Sequence, residues 1–237
     1  MLAAQPIDYV RALKQATVAI PIVMVTTPNP VESGLVGNLA RPEVNVTGVM
    51  SSGREVAAKR IGLLKRLLPR LAKLAVIERK GGDAVVHAQL EKDVTEAATK
   101  LGFVWQAFYP AAPEDYDAIF ARLAAEGFDA AYVEPGPLLD ANQTRIAGLA
   151  MRHRIPTVGN YPYHAENGLL LAYGESADPL NERAAEYIDK ILRGAEPADL
   201  PIEGPIKFNL VVNLKTAKGL GLPIPESFLL LADKVIR

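Results

Sequence analysis

Cysteine is absent from the 237 residues. That excludes disulfides, thiolate metal sites and a cysteine nucleophile, and it suits a reducing or an oxidising compartment equally. A basic excess is lacking too. Lys and Arg number 26 against 27 Asp and Glu, a net charge of −1. Such a balance leaves no electrostatic footprint for nucleic acid or an anionic membrane surface. No apolar run approaches the roughly 18 residues of a membrane span. The signatures HExxH, GxSxG and GxxxxGK[ST] do not occur, and the three histidines, His87, His153 and His164, are far apart in sequence. Met1 to Val10 lacks a basic n-region and carries Asp8 where an apolar h-region would stand. It is not read as a signal peptide, so the chain by itself reads as cytoplasmic. No metal and no cofactor are expected.

What is present is apolar and regularly punctuated. Apolar residues make up 49%, enough for one large domain or two small ones. Short β-branched or apolar runs fall at 19–25, 45–50, 73–78, 103–109, 128–134, 155–160, 168–174 and 206–212. Most are continuously apolar without alternation, as parallel strands covered on both faces are. Helical periods lie between them. Over 53–68, Val56, Ile61, Leu64, Leu67 and Leu68 share one face. A helix over 83–100 is capped by Asp83, and one from Pro113 stops at Gly127. Two more cover 138–153 and, capped by Asp178, the stretch to Arg193. Strand–helix alternation of this kind predicts an α/β fold with right-handed parallel connections.

In open α/β sheets ligands sit outside the carboxyl ends of the strands, so the loops there are the informative ones. After 19–25 come Thr26, Thr27, Pro28 and Asn29, then a predicted helix holding Ser33, Gly34 and Gly37. After 73–78 come Arg79, Lys80, Gly81 and Gly82; after 128–134, Pro135 and Gly136; after 155–159, Asn160 and Tyr161. Hydroxyls, amides, an acid and an aromatic suit a small polar or zwitterionic ligand that is held, not transformed. Bland readings stand beside this one. Thr26, Thr27 and Asn29 cap the next helix, Glu134 pairs with a neighbouring Arg, and Tyr161 packs in the core or against a subunit.

Several stretches together resemble a known family. "IPIVMVTTPNPVESGLVGNLARPEVNVTGV" and "AAKRIGLLKRLLPRLAKLAVI" carry the likeness early. "NGLLLAYGESADPLNERAAEYIDKILRGAEPADLPIEGPIKFNLVVNLKTAKGLGLPIPESFLLLADKVI" carries it late. The family is the ABC-transporter substrate-binding proteins, of the type that includes tryptophan- and phenylalanine-binding members. The resemblance implies a two-lobed type I periplasmic-binding fold, each lobe a parallel sheet flanked by helices. It implies hinge closure on a solute in the interlobe cleft and no catalysis. It implies export and delivery of a small solute, an amino acid among the options, to an ABC permease in the membrane. Mapped on this sequence, residues 1–50 and 165–195 form the N-lobe and residues 51–164 and 200–237 the C-lobe, with crossings near 50–53, 160–167 and 194–204.

Family members are typically longer at the N-terminus. "MLAAQPIDYVRALKQAT" resembles the end of their third strand, its loop and the next helix, so the N-lobe reads as truncated by two strand–helix units. Asn29 stands where most members have an acid, and "ERKGG" where many have Asn-Pro. Carried over position by position, the binding residues are Gln5, Thr26, Thr27, Asn29, Glu134, Gly136, Asn160 and Tyr161. Three alternatives stay open: a truncated remnant that binds no solute, a cytoplasmic ligand-sensing module, and, last, an α/β enzyme. A homodimer covering the open sheet edges is also compatible with the sequence.

Overall fold

The computed structural model describes residues 1–4, 7–42, 44–52, 55–79, 81 and 83–237. Gln5, the first of the carried-over binding residues, lies outside the described residues. No described helix is long and apolar enough to cross a membrane. The chain divides into two units.

The first unit comprises 1–53, 82–89 and 175–207. Strands β1 (Leu2–Ala4), β2 (Ile22–Met24) and β3 (Val46–Gly48) form a parallel sheet in that order. Alternation along β2 explains its two covered faces. Ile22 and Met24 pack with Ile7 and Val10 of helix α1 (Ile7–Ala16) and with Leu35. Val23 points the other way, to Leu180, Ala184 and Tyr187 of helix α8 (Ala177–Leu192). Burying each such Leu or Ile contributes roughly 1.5–3 kcal/mol.

The second unit comprises 54–81, 90–174 and 208–237. Its strands are β4 (Lys73–Ile77), β5 (Val104–Phe108), β6 (Ala130–Val133), β7 (Thr157–Gly159), β8 (Leu171–Gly174), β9 (Asn209–Asn213) and β10 (Lys234–Ile236). They lie in the order β10-β9-β8-β7-β6-β4-β5. Leu74, Val76, Tyr132 and Val158 face Ile61 and Leu64 of α2 (Glu55–Leu67) and Val94 of α3 (Ala84–Leu101). Ala75, Ile77, Ala131 and Val133 face Phe120 and Leu123 of α4 (Asp115–Ala125). Both faces are covered, which is why these strands read as unbroken apolar runs.

Each predicted run contains a strand, and the fold is α/β as read. The details differ in five places. The pair β8–β9 is antiparallel, Leu171 opposite Val212 and Tyr173 opposite Leu210, while the other pairs are parallel. The sequence reading carries 165–174 with the first lobe, whereas pairing of Val158 with Leu171 builds β8 into the second unit's sheet. The predicted helix over 138–153 is two, α5 (Pro137–Ala141) and α6 (Gln143–Arg152). Asn142 separates them, its side-chain amide donating to the Leu138 carbonyl at 2.7 Å. Asp178 lies inside the first turn of α8, whose N-cap position is Ser176. Ser33 and Gly34 stand in turns, with no helix between β2 and β3 among the described residues. Asp83 does cap α3, accepting from the Val85 and Val86 N–H groups at 3.0 and 3.2 Å.

Candidate ligand-binding site

Strands β4, β6 and β7 are parallel neighbours, so their carboxyl ends open on one edge of the second unit. Glu134 follows β6, and its N–H is tied to the Ile77 carbonyl of β4 at 2.9 Å. Asn160 follows β7. The Asn160 side-chain amide lies 3.5 Å from each Glu134 carboxylate oxygen. Asn160 is buried and Glu134 half-buried, and Asn160 Oδ1 has no hydrogen-bond partner among the described residues. Leaving a buried polar atom unpaired costs roughly 1–3 kcal/mol, so such an atom needs a reason.

Two residues before Glu134, the Tyr132 hydroxyl accepts from Arg60 Nη1 at 3.1 Å. Burial pushes the Tyr132 phenol well above its ordinary value; Arg60 opposes the rise and Glu134 adds to it. The hydroxyl therefore keeps its proton. Arg60, 4% exposed, donates again through Nε to the Tyr173 carbonyl at 2.6 Å. Its position was readable: Arg60 is four residues from both Val56 and Leu64, on the buried stripe of α2. A charge on an apolar stripe is the signal that sequence reading passed over.

Tyr161 stacks on Tyr163, with centroids 5.4 Å apart and planes at 18°. Gly136 is extended backbone at the start of α5. A shallow hollow beside it is lined by Glu78, Arg79, Tyr116, Glu134, Gly136 and Leu139. Of the carried-over residues in this unit, Glu134 and Asn160 are brought into contact; Tyr161 follows Asn160 directly, and Gly136 lies two residues beyond Glu134.

In the first unit, the loop after β2 bends sharply. Thr26 and Asn29 have φ of 52° and 45°. Asn tolerates the left-handed region; a β-branched Thr there is a strained outlier, costing on the order of 1–3 kcal/mol. Thr27 is fully buried and Ser33 is 5% exposed. Neither the Thr27 nor the Ser33 hydroxyl has a partner among the described residues. With turns in place of the predicted helix, capping does not explain these residues. Strain and orphaned hydroxyls concentrate in one loop, as they do in ligand clamps. Ser33 was passed over as a binding residue because it was assigned to that helix.

No group of three or more His, Asp and Glu is placed to hold a metal ion among the described residues.

The chain is similar to proteins already known. A curated tyrosine-binding protein of Clostridioides difficile is 26% identical over 214 residues, which is 90% of this chain and 60% of the relative. The chain thus spans less than two thirds of that relative's length. The solved structure of a conserved domain protein from Vibrio cholerae superposes with a TM-score of 0.85 at 25% identity, covering 99% of this chain and 76% of the other. An ABC domain in complex with L-Trp from Streptococcus pneumonia gives 0.86 at 25% identity, covering 99% and 77%. The fold is of the type I periplasmic-binding kind. The family model described as "ABC transporter substrate binding protein" matches residues 4–236, and the chain belongs to that family.

Proposed function

We propose that this chain is the solute-binding component of an ABC importer and takes a small amino-acid-like solute without transforming it. The observation that carries the reading is the Glu134–Asn160 pair. It is a half-buried carboxylate at a strand end, beside an amide whose oxygen lacks a partner among the described residues. Glu134 answers the solute's ammonium, and Asn160 Oδ1 accepts a second N–H. Within the first unit by itself, the strained loop of Thr26, Thr27, Asn29 and Ser33 holds two buried hydroxyls, of Thr27 and Ser33, with no partner among the described residues, which suit a polar ligand group. Tyr161, stacked on Tyr163, offers an aromatic face to an apolar or aromatic side chain. Two relatives, one a tyrosine-binding protein and one solved in complex with L-Trp, support an aromatic amino acid. The reading extends to a periplasmic or extracellular setting and to delivery to an ABC permease.

Calorimetric titration with L-tyrosine, L-tryptophan, other amino acids, purines and small carboxylates tests it. An amino acid binds, and Glu134→Ala and Tyr161→Ala each weaken the best ligand by about tenfold or more, the loss of one or more net polar or aromatic contacts. Unchanged affinity in both variants sinks the assignment.

A further inference from the structure

We infer that His164 is a positioning residue for the Asn160–Tyr161 loop, acting as a neutral imidazole with its proton on Nε2. The inference rests on the solute-binding reading for its consequence, but not for its geometry. His164 is 1% exposed and lies in the short helix α7 (Pro162–Glu166). Its Nδ1 is 3.1 Å from the Asn160 backbone N and 3.4 Å from the Tyr161 backbone N. Both are N–H donors, so Nδ1 must present its lone pair. The proton then resides on Nε2, which faces Asp140 Oδ1 at 3.4 Å. The ring reaches the loop only because residue 159 is glycine: a β-carbon there would lie 2.6 Å from Nδ1 and 2.7 Å from the His164 β-carbon.

The loop is thereby fixed by an acceptor and not by shape alone. Two consecutive N–H groups are drawn inward to one nitrogen. The Asn160 side chain is left directed at Glu134, with Oδ1 open to a solute donor. A proton on Nδ1 would set a third N–H against those two and release the loop. Among the described residues, the ring faces Asp140, Tyr161 and Tyr163, the tyrosines edge-on with centroids 5.5 and 4.5 Å away. Asn213 Nδ2, donating to the Ala165 carbonyl at 2.8 Å, holds the helix that carries the ring.

The test compares wild type, His164→Asn and His164→Phe. Asparagine can place an amide oxygen where Nδ1 stands; phenylalanine keeps only bulk. Nitrogen-15 imidazole NMR at neutral pH reads the Nε2–H tautomer in solute-free wild type. Amide exchange at Asn160 and Tyr161 quickens about tenfold in His164→Phe and far less in His164→Asn, the scale of one net hydrogen bond. Affinity for L-tyrosine or L-tryptophan falls in the same order. An Nδ1–H tautomer overturns the inference, and so does His164→Phe with an intact fold, unchanged exchange and unchanged affinity. If wild type binds no amino acid of the panel while the tautomer and exchange are as stated, the positioning role stands and the solute reading falls.

Discussion

Arg60 reaches the Tyr173 carbonyl through Nε at 2.6 Å, an arginine of α2 bound to the backbone of β8 inside the second unit. Its Nη1 meets the Tyr132 hydroxyl, so one buried cation links the helix to two strands. Removing the guanidinium strands both acceptors. Arg60→Ala is expected to lower unfolding free energy by about 1–3 kcal/mol for each buried acceptor left unpaired. Arg60→Lys recovers only part, because a point-charge ammonium cannot reproduce the planar fork. Urea denaturation checks both.

Gly174 is required by close approach. A β-carbon there would lie 2.0 Å from the Asn160 carbonyl oxygen and 3.2 Å from Arg60 Nη2. Gly174→Ala is expected to cost about 1–3 kcal/mol through overpacking and to displace the Asn160 loop. Gly148, inside α6 with open space where its β-carbon would go, is the control. Gly148→Ala is expected to stabilise by up to about 1 kcal/mol. Thermal unfolding of the two variants separates crowding from propensity.

Three tyrosines should titrate late. Burial, helped by the Asp140 charge, pushes the Tyr116 phenol up to about 12, and burial pushes Tyr132 well above its ordinary value. Burial likewise pushes the Tyr187 phenol well up, so in absorbance titration Tyr116, Tyr132 and Tyr187 ionise late or only when the chain unfolds. The sign follows from linkage. The folded state holds these protons more tightly, so their contribution is complete below the unfolded value of 10.0 and is lost as pH rises above it. Tyr116→Phe and Tyr132→Phe should each remove one late-titrating group.

At the acid end, Glu203 behaves oppositely. Its hydrogen bonds from Arg183, at 2.6 and 2.7 Å, hold the carboxyl below its ordinary 4.5, with burial opposing. Its contribution is present above 4.5 and is lost as pH falls through the lower folded value. Both side chains are more than a third exposed or close to it, so about 0.2–1 kcal/mol is at stake. Arg183→Met should flatten that part of the stability profile between pH 3 and 6, measured by urea midpoints, within the range typical of exposed pairs.

Thr27 offers a trade between stability and binding. Its hydroxyl is buried with no partner among the described residues. Thr27→Val removes an unsatisfied group at nearly constant shape and should raise the unfolding midpoint, by roughly 1 kcal/mol of stability. If the hydroxyl serves a solute, the same change weakens binding, the usual cost of stabilising a site. Scanning calorimetry and titration of this one variant read both effects.

Much of this molecule was legible without its fold. Strands covered on both faces must be apolar along their whole length, so β4, β6 and β8 stood out as runs. The stripe of Val56, Ile61 and Leu64 named the buried face of α2, and Asp83 marked a helix start through its own local chemistry. The rule that ligands gather at strand ends selected Glu134 and Asn160, which the fold brings to 3.5 Å. These are short-range properties: periodicity, capping and turn chemistry act within a few residues.

What tertiary structure decided is long-range. Nothing within 30–37 or 138–153 revealed that one stretch would be turns and the other split at Asn142. Nor did any local pattern show that β9 would run antiparallel to β8, since direction depends on where the intervening chain crosses between units. β10, three residues and partly exposed, carries too little apolar signal to be seen. Arg60 took its role from partners 72 and 113 residues away in sequence. A sequence states which groups are available; only the packed backbone determines which of them lose water, and therefore which must find a partner or wait for one.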